Sequence, residues 1–177
     1  MVQGFHIENV NLTDKLLELP EVDSTTYGTS QEWHWIRKLG WDVIERGQVL
    51  LMICHLGHDN KHWVALVVDG ESKQLAYGNS MSHKISEKIL IAYQEWFSWH
   101  SSAFTLEQLL ILKQVDLFSC GILAKVALKD TVSGHISKSQ GFDPQAARLR
   151  TFIDLVNFVL ERVSTRRILQ FTSWQYS

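Results

Sequence analysis

Cysteine is scarce in this chain. Only Cys54 and Cys120 occur in 177 residues, too few for a disulfide framework, and that usage fits a reducing nucleus or cytoplasm better than an extracellular space. Each thiol is then available as a small core residue or as a nucleophile. Basic charge is not in surplus either. Seventeen Lys and Arg stand against nineteen Asp and Glu, a formal charge of -2, which argues against the strongly basic footprint of a nucleic-acid-binding domain. No run approaches 18 consecutive apolar residues, so no membrane-spanning helix is expected. The opening MVQGFHIENV lacks the basic, apolar and small-residue zones of a secretory signal. Low-complexity tracts, internal repeats and blocks of like charge are missing as well.

What is present is apolar residues: 45% of the chain, enough for the core of one domain, expected over residues 1–177. Thr13 is placed to cap a short helix carrying Leu16, Leu17 and Leu19 that Pro20 stops,. Glu21 to Ser30 (EVDSTTYGTS) reads as a surface loop. Gln31 to Lys38, with Trp33 and Trp35, reads as a helix. The period then turns extended: VLLMIC (Val49 to Cys54) and WVALVV (Trp63 to Val68) are short apolar runs bounded by polar turns, which predict central strands. Asp69-Gly70-Glu71-Ser72 supplies turn chemistry, so Trp63 to Tyr77 predicts a hairpin.

Ile85, Ile89, Tyr93, Trp96 and Phe97 recur at helical spacing between Ser82 and His100,. Leu109 to Leu112 predicts a further strand, and Cys120 to Thr131 a helix. Asp143-Pro144 opens a last long helix, with Asp143 as its cap and Leu149, Phe152, Ile153, Val156, Leu160 and Val163 along one face,. Helices, a hairpin-bearing sheet, then helices again make an α+β domain.

Four polar or reactive residues fall where elements end: His62 at the start of one strand, Asn79 after the next, Gln114 after a third, and Cys120 at the head of a helix. Thiols react as thiolates, favoured by a helix N-terminus and a nearby imidazole. Cys120 has the first, and His62 is the candidate general base. Asn79 can accept a hydrogen bond from the other ring nitrogen and so set the tautomer. Gln114 can aim its amide at an oxyanion beside the Cys120 backbone N–H, and Gly121 leaves room for a substrate main chain.

The strings His62-Trp63-Val64-Ala65-Leu66, Tyr77-Gly78-Asn79-Ser80-Met81 and Gln114-Val115-Asp116-Leu117-Phe118-Ser119-Cys120-Gly121 together resemble the three signature blocks of the ubiquitin-like-protein-specific cysteine proteases, the SUMO or sentrin proteases and their adenain relatives. The order His, then Asp or Asn, then Cys sets that family apart from papain-type enzymes. The resemblance extends over about residues 33 to 163, nearest to divergent fungal members.

It implies a papain-like fold of the adenain type, a central mixed sheet flanked by helices. It implies Cys120 as nucleophile, His62 as base, Asn79 as orienting member and Gln114 as oxyanion donor. Trp63, Gly121 and Ser119 would then bound a narrow channel for the Gly-Gly tail of a ubiquitin-like modifier, with no cofactor. The expected activity is a thiol peptidase or isopeptidase cleaving after glycine. Two departures stand out: the family usually has Asp where this chain has Asn79, and its Trp-Leu helix forming the other channel wall has no clear counterpart, leaving Trp33, Trp35 and Trp41 as substitutes.

Three other readings compete. Cys54, His55, His58, Asp59 and His62 crowd one stretch and suggest zinc, but alternation along a strand sends Cys54 and His55 to opposite faces, and a metal would consume the His62 lone pair. The favoured reading of the stretch is a polar loop. A protease fold kept only to bind a ubiquitin-like partner is the second, and an acyltransferase the third; an intact Gln114 and Cys120 argue for catalysis. Arg162, Arg166 and Arg167 read as complements to a helix C-terminal dipole rather than a phosphate site.

Overall fold

A computed structural model describes residues 4–8, 11–56, 62–100, 103–134 and 142–173, with side chains described as far as Phe158. The chain divides into two compact units, residues 1–140 and 141–177. In the first, strand β1 (Phe5–Glu8), helices α1 (Asn11–Leu16), α2 (Ser24–Thr29) and α3 (His34–Gly40), strands β2 (Val49–Leu56), β3 (His62–Asp69) and β4 (Gln74–Gly78), helix α4 (Glu87–Trp99), strand β5 (Thr105–Gln108) and helix α5 (Cys120–Ser133) follow in that order. The strands lie side by side as β1-β2-β3-β4-β5. Both edge pairs are parallel, while β2, β3 and β4 form an antiparallel meander. This is the mixed, helix-flanked sheet that the family resemblance implies.

The central strands are almost continuously apolar because both faces are covered. On one face Val64, Leu66 and Val68 join Leu50, Met52, Cys54, Leu75 and Tyr77 in the main core, closed over by Leu12 and Leu16 of α1 and by Ile89, Tyr93, Trp96 and Phe97 of α4. On the other, Ala65 packs with Ala124 and Ala127 of α5. Small residues on both partners let that helix lie close against β3. Each large side chain taken fully out of water contributes about 1.5–3 kcal/mol, so the α4 aromatics anchor the first face strongly.

The β3–β4 hairpin forms as the sequence predicts, although β4 starts at Gln74 because Lys73 takes a positive φ of 57°. Asp69 Oδ1 accepts from the backbone N–H groups of Glu71 and Ser72 at 2.9 and 3.1 Å. Gly70 cannot be anything larger, since a Cβ there would lie 1.7 Å from the Val43 carbonyl oxygen. That oxygen belongs to the π-helical turn Trp41–Glu45, which follows α3.

Several expectations are corrected. Leu109 to Leu112 is not a strand; β5 comes earlier, at Thr105–Gln108, paired parallel with Gln74 to Tyr77. Thr13 is no cap but a buried residue inside α1, its hydroxyl 3.0 Å from Cys54 Sγ and 3.3 Å from the Tyr93 hydroxyl. The supposed loop from Glu21 to Ser30 contains α2, capped by Asp23, whose side chain accepts from Thr26 N–H. The helix predicted over Gln31 to Lys38 does form, beginning as a 3-10 turn at Gln31–Trp33 and continuing as α3.

The second unit holds helix α6 (Pro144–Ser173). Asp143 opens it as predicted, accepting from the N–H groups of Gln145 and Ala146 at 2.8 and 3.3 Å. Leu160, Val163 and the Arg162, Arg166 and Arg167 cluster lie outside the described side chains.

Candidate active site

The antiparallel register sets the first part of the site. Ala65 is opposite Gly78 in the β3–β4 ladder, so His62, two positions before Val64, and Asn79, just after Gly78, fall on the main-core face with Tyr77. His62 and Asn79 are both buried, with 5% and 7% of their surfaces exposed. The imidazole Nε2 lies 3.0 Å from Asn79 Oδ1. A second donor reaches that oxygen: the backbone N–H of Met81, at 2.8 Å. A backbone N–H can only donate, so this atom of the Asn79 amide must be the carbonyl oxygen and not the NH2. It follows that His62 donates from Nε2, and its lone pair is on Nδ1. The amide NH2 of Asn79 donates in turn to the Tyr77 hydroxyl at 2.9 Å.

Burial holds the His62 pKa below its ordinary value, partly opposed by the bond to Asn79, with His83 adding a small push in the same direction as burial. The resting imidazole therefore favours its neutral form, as a general base requires.

Trp63, next along β3, points to the opposite face. A Cβ on Gly121 would stand 3.7 to 3.9 Å from the Trp63 Cδ1, Cγ and Cβ atoms, so the start of β3 and the start of α5 lie against one another. His62 precedes Trp63, and Cys120 precedes Gly121. Cys120 is the first residue of α5 and is 6% exposed. The first hydrogen bond within α5 runs from Leu123 N–H to the Ser119 carbonyl at 3.0 Å. The N–H groups of Cys120, Gly121 and Ile122 precede it and emerge at the helix start, beside the thiol and at the positive end of the dipole.

Gln114 is tied into the same end of the sheet. Its backbone N–H donates to the Ser80 carbonyl at 2.8 Å, and its side-chain oxygen accepts from the Ser80 hydroxyl at 2.9 Å. Its Nε2 donates one hydrogen to the Asp116 carbonyl at 2.5 Å, and the amide NH2 carries a second hydrogen. Asp116 then orders the approach to the thiol: Oδ1 accepts from the N–H groups of Phe118 at 3.0 Å and Ser119 at 2.7 Å, and Oδ2 accepts from the Ser119 hydroxyl. A chain of hydrogen bonds thus leads from Asn79's neighbour Ser80 through Gln114 and Asp116 to Ser119, the residue immediately before the helix headed by Cys120.

Sequence reasoning missed Tyr77, Ser80 and Asp116. The signals were present: Tyr77 shares a strand face with Asn79 by period two, and Asp116 stands two residues before Phe118, the spacing of an Asx turn,. Of the substitutes for the second channel wall, Trp33 is 2% exposed in the core under the Lys15 ammonium. Trp41 opens the π-turn that meets Gly70, at the far end of β3 from His62, a separation of about 23 Å along the strand. Trp35 lies on α3, which runs into that same turn. Of the three, Trp33 is therefore a core residue and Trp41 stands at the end of β3 away from His62.

The zinc reading loses its members to other partners. Cys54 Sγ is held by Thr13, and burial pushes its thiol up to about 12. The His55 ring packs tilted against Trp63, with 4.7 Å between ring centroids, and His62 bonds Asn79. His58 and Asp59 lie outside the described residues. Among the described residues no cluster of three or more His, Cys, Asp or Glu is arranged to hold a metal ion, and no helix is long and apolar enough to cross a membrane.

Neither a protein-family model nor a curated protein matches the sequence. Solved structures do. A de-sumoylating protease aligns with a TM-score of 0.51 at 11% identity, covering 73% of this chain and 52% of the other, so the chain spans about half its length. The C-terminal Ulp1 protease domain in complex with Smt3, the yeast ortholog of SUMO, aligns at 0.49 and 17% identity over 78% of this chain and 68% of that one. Ulp1 with its catalytic cysteine oxidised to a sulfinic acid aligns at 0.48 and 19%, over 82% and 74%. The shared property is the fold: this chain is built as a SUMO-protease-type α+β domain.

Proposed function

We propose that the chain is a thiol peptidase or isopeptidase that cleaves after glycine in a ubiquitin-like modifier or its conjugates. The observation that carries this reading is the imposed tautomer of His62. Met81 N–H identifies the Asn79 oxygen, that oxygen takes the Nε2 proton, and the Nδ1 lone pair is left at the end of β3 that abuts the head of α5, where Cys120 stands. A base for a thiol requires this arrangement, with one ring nitrogen donating to a fixed acceptor and the other keeping its lone pair.

In the proposed reaction His62 Nδ1 takes the Cys120 proton and the thiolate attacks the carbonyl carbon of the terminal glycine. Negative charge on the carbonyl oxygen is met by the Cys120 backbone N–H and the second Nε2 hydrogen of Gln114, a donor worth about 3 kcal/mol when well placed. The tetrahedral species collapses as the imidazolium protonates the departing amine, leaving a thioester between Cys120 and the modifier. Water, deprotonated by His62, then attacks that thioester and releases a free glycine carboxylate and the thiol. Asn79 orients the ring throughout but, being neutral, stabilises the imidazolium less than a carboxylate would. Trp63, packed against Gly121, with Ser119 at the helix cap, forms the wall past which only unsubstituted residues fit.

The three signature strings and the shared fold support the choice of a ubiquitin-like modifier as partner. The test is covalent labelling with a panel of ubiquitin-like modifiers bearing a thiol-reactive group at the C-terminal glycine, run on the chain and on Cys120→Ser. Labelling by at least one modifier that vanishes in Cys120→Ser is the expected result. An unlabelled protein whose Cys120 is also inert to small alkylators at neutral pH would overturn the reading.

A further inference from the structure

We propose that Tyr77 is a positioning residue of the catalytic centre, and that its hydroxyl, by accepting a hydrogen bond from the Asn79 amide NH2, holds that amide in the one orientation that lets a neutral asparagine serve His62. The inference rests on the function proposed above and concerns a requirement that asparagine creates. A carboxylate presents two equivalent acceptor oxygens, so either way round it takes the proton from His62 Nε2. An amide has a right and a wrong way round. Turned by 180°, Asn79 would present NH2 hydrogens to both His62 and the Met81 N–H, and the ring would be driven to accept at Nε2 and carry its proton on Nδ1. With that tautomer the only ring lone pair is at Nε2, engaged by the turned amide, so Nδ1 could not take the Cys120 proton, and protonation of the ring by the thiol would place a second hydrogen against that amide.

Two contacts oppose the turn, one at each end of the amide. Met81 N–H at 2.8 Å holds the oxygen, and the Tyr77 hydroxyl at 2.9 Å holds the nitrogen. Tyr77 suits this task because it is 7% exposed and burial raises its phenol above the ordinary value. It therefore stays neutral, keeping oxygen lone pairs to accept from the amide and one hydrogen to place elsewhere. Tyr77 lies two residues before Asn79, on the same strand face and within the main core, so its ring is clamped by packing and its hydroxyl is held at a set height above Asn79. Without the hydroxyl, the NH2 would be left buried against a phenyl edge, and the energetic difference between the two amide orientations would narrow.

The experiment compares the chain, Tyr77→Phe, Asn79→Asp and the double variant by two readouts. The first is the His62 tautomer, read from imidazole nitrogen chemical shifts in 15N-labelled protein at pH 8. The second is the pH profile of Cys120 alkylation by iodoacetamide. The starting protein should carry its ring proton on Nε2. Tyr77→Phe should populate the Nδ1–H form, move the alkylation profile to higher pH and slow alkylation at pH 7 by about tenfold or more, set against the roughly 10^4-fold cost of a wrong tautomer in a serine protease. In the Asn79→Asp background the same loss of hydroxyl should change alkylation by less than about threefold, because either carboxylate oxygen accepts.

An unchanged tautomer and profile in Tyr77→Phe overturns the proposal, as does an equal loss in both backgrounds, which would mark Tyr77 as packing alone. Should Tyr77→Phe fail to fold, the starting protein still decides: an Nδ1–H ring there overturns the proposal by itself. Failure of the modifier panel to label Cys120 leaves the tautomer readout intact, so the two readings stand or fall separately.

Discussion

Ser80 and Gln114 hold one another twice, once through the backbone, where Gln114 N–H meets the Ser80 carbonyl at 2.8 Å, and once through side chains, where the Ser80 hydroxyl meets Gln114 Oε1 at 2.9 Å. Ser80 is 1% exposed and Gln114 half-buried, so the Ser80 side of the pair is shielded from water. Because Ser80 follows Asn79, the residue that orients the base and the candidate oxyanion donor are joined. Taking the Ser80 hydroxyl leaves Gln114 Oε1 short of its donor and the amide held through the Asp116 carbonyl alone. Ser80→Ala should cost about 1 kcal/mol of stability and lower kcat more than KM, checked by urea unfolding and by turnover of a modifier substrate identified in the labelling panel.

Asp116 should matter more than its exposed loop suggests. Its carboxylate accepts from two backbone N–H groups and one hydroxyl, all within the turn that delivers Cys120. Charge-assisted bonds of this kind contribute about 1.5–3 kcal/mol. Asp116→Ala should therefore lower stability by an amount of that order and slow Cys120 alkylation. Asp116→Asn should recover most of both, since its oxygen can still accept from the two N–H groups. An Asp116→Ala protein with unaltered alkylation would show that the turn is held by the rest of the fold.

The pH dependence of stability has a definite sign. Burial depresses His62 below its ordinary pKa of about 6.5,, so between the folded value and 6.5 the unfolded chain binds a proton that the native state refuses. Stability attributable to this group therefore falls as pH drops below 6.5, down to the folded value. Asn79→Asp reverses part of this by placing a carboxylate against the ring, while the Tyr77 hydroxyl turns to donate to it. Urea midpoints between pH 5 and 8 should show a shallower acid-side loss in Asn79→Asp than in the starting protein, and Cys120 alkylation should begin at lower pH.

The two thiols should part company on exposure to iodoacetamide. Cys54 is fully enclosed, its Sγ is 3.0 Å from the Thr13 hydroxyl, and burial pushes its pKa to about 12. Thiolate is the reacting form, so at pH 7.5 the native protein should take up one label, at Cys120, and two after unfolding, as peptide mass spectrometry would show. A native protein labelled at Cys54 would contradict the described core.

At the hairpin, Gly70→Ala should destabilise by several kcal/mol, because its Cβ would enter the Val43 carbonyl and backbone must move to relieve it. Gly121→Ala is the contrast: its Cβ would meet Trp63 at 3.7 Å, an ordinary contact, and alanine gains up to about 1 kcal/mol in a helix. Thermal melts of the two variants should shift in opposite directions, while Gly121→Ala narrows the space beside Cys120 and should raise KM.

Much of this protein was determined locally. Uninterrupted apolar runs made β2 and β3 legible, since a strand covered on both faces needs no alternation. Asp69-Gly70 announced the hairpin, helical spacing announced α4, and Asp143-Pro144 announced α6. The order of His62, Asn79, Gln114 and Cys120 pointed to one site because each ends an element. Other features had no local signature. β1 (FHIE) is a four-residue edge strand that exists only through its pairing with β2. β5 displaced the more apolar Leu109 to Leu112, as ladder hydrogen bonds to β4 outweighed composition. Thr13 looked like a cap until the core put Cys54 and Tyr93 against it. The tautomer of His62 was settled only in three dimensions. It depends on a backbone N–H from Met81 and a hydroxyl from Tyr77 converging on one amide, and hydrogen-bond direction across a turn and a strand face is a property of the folded chain alone.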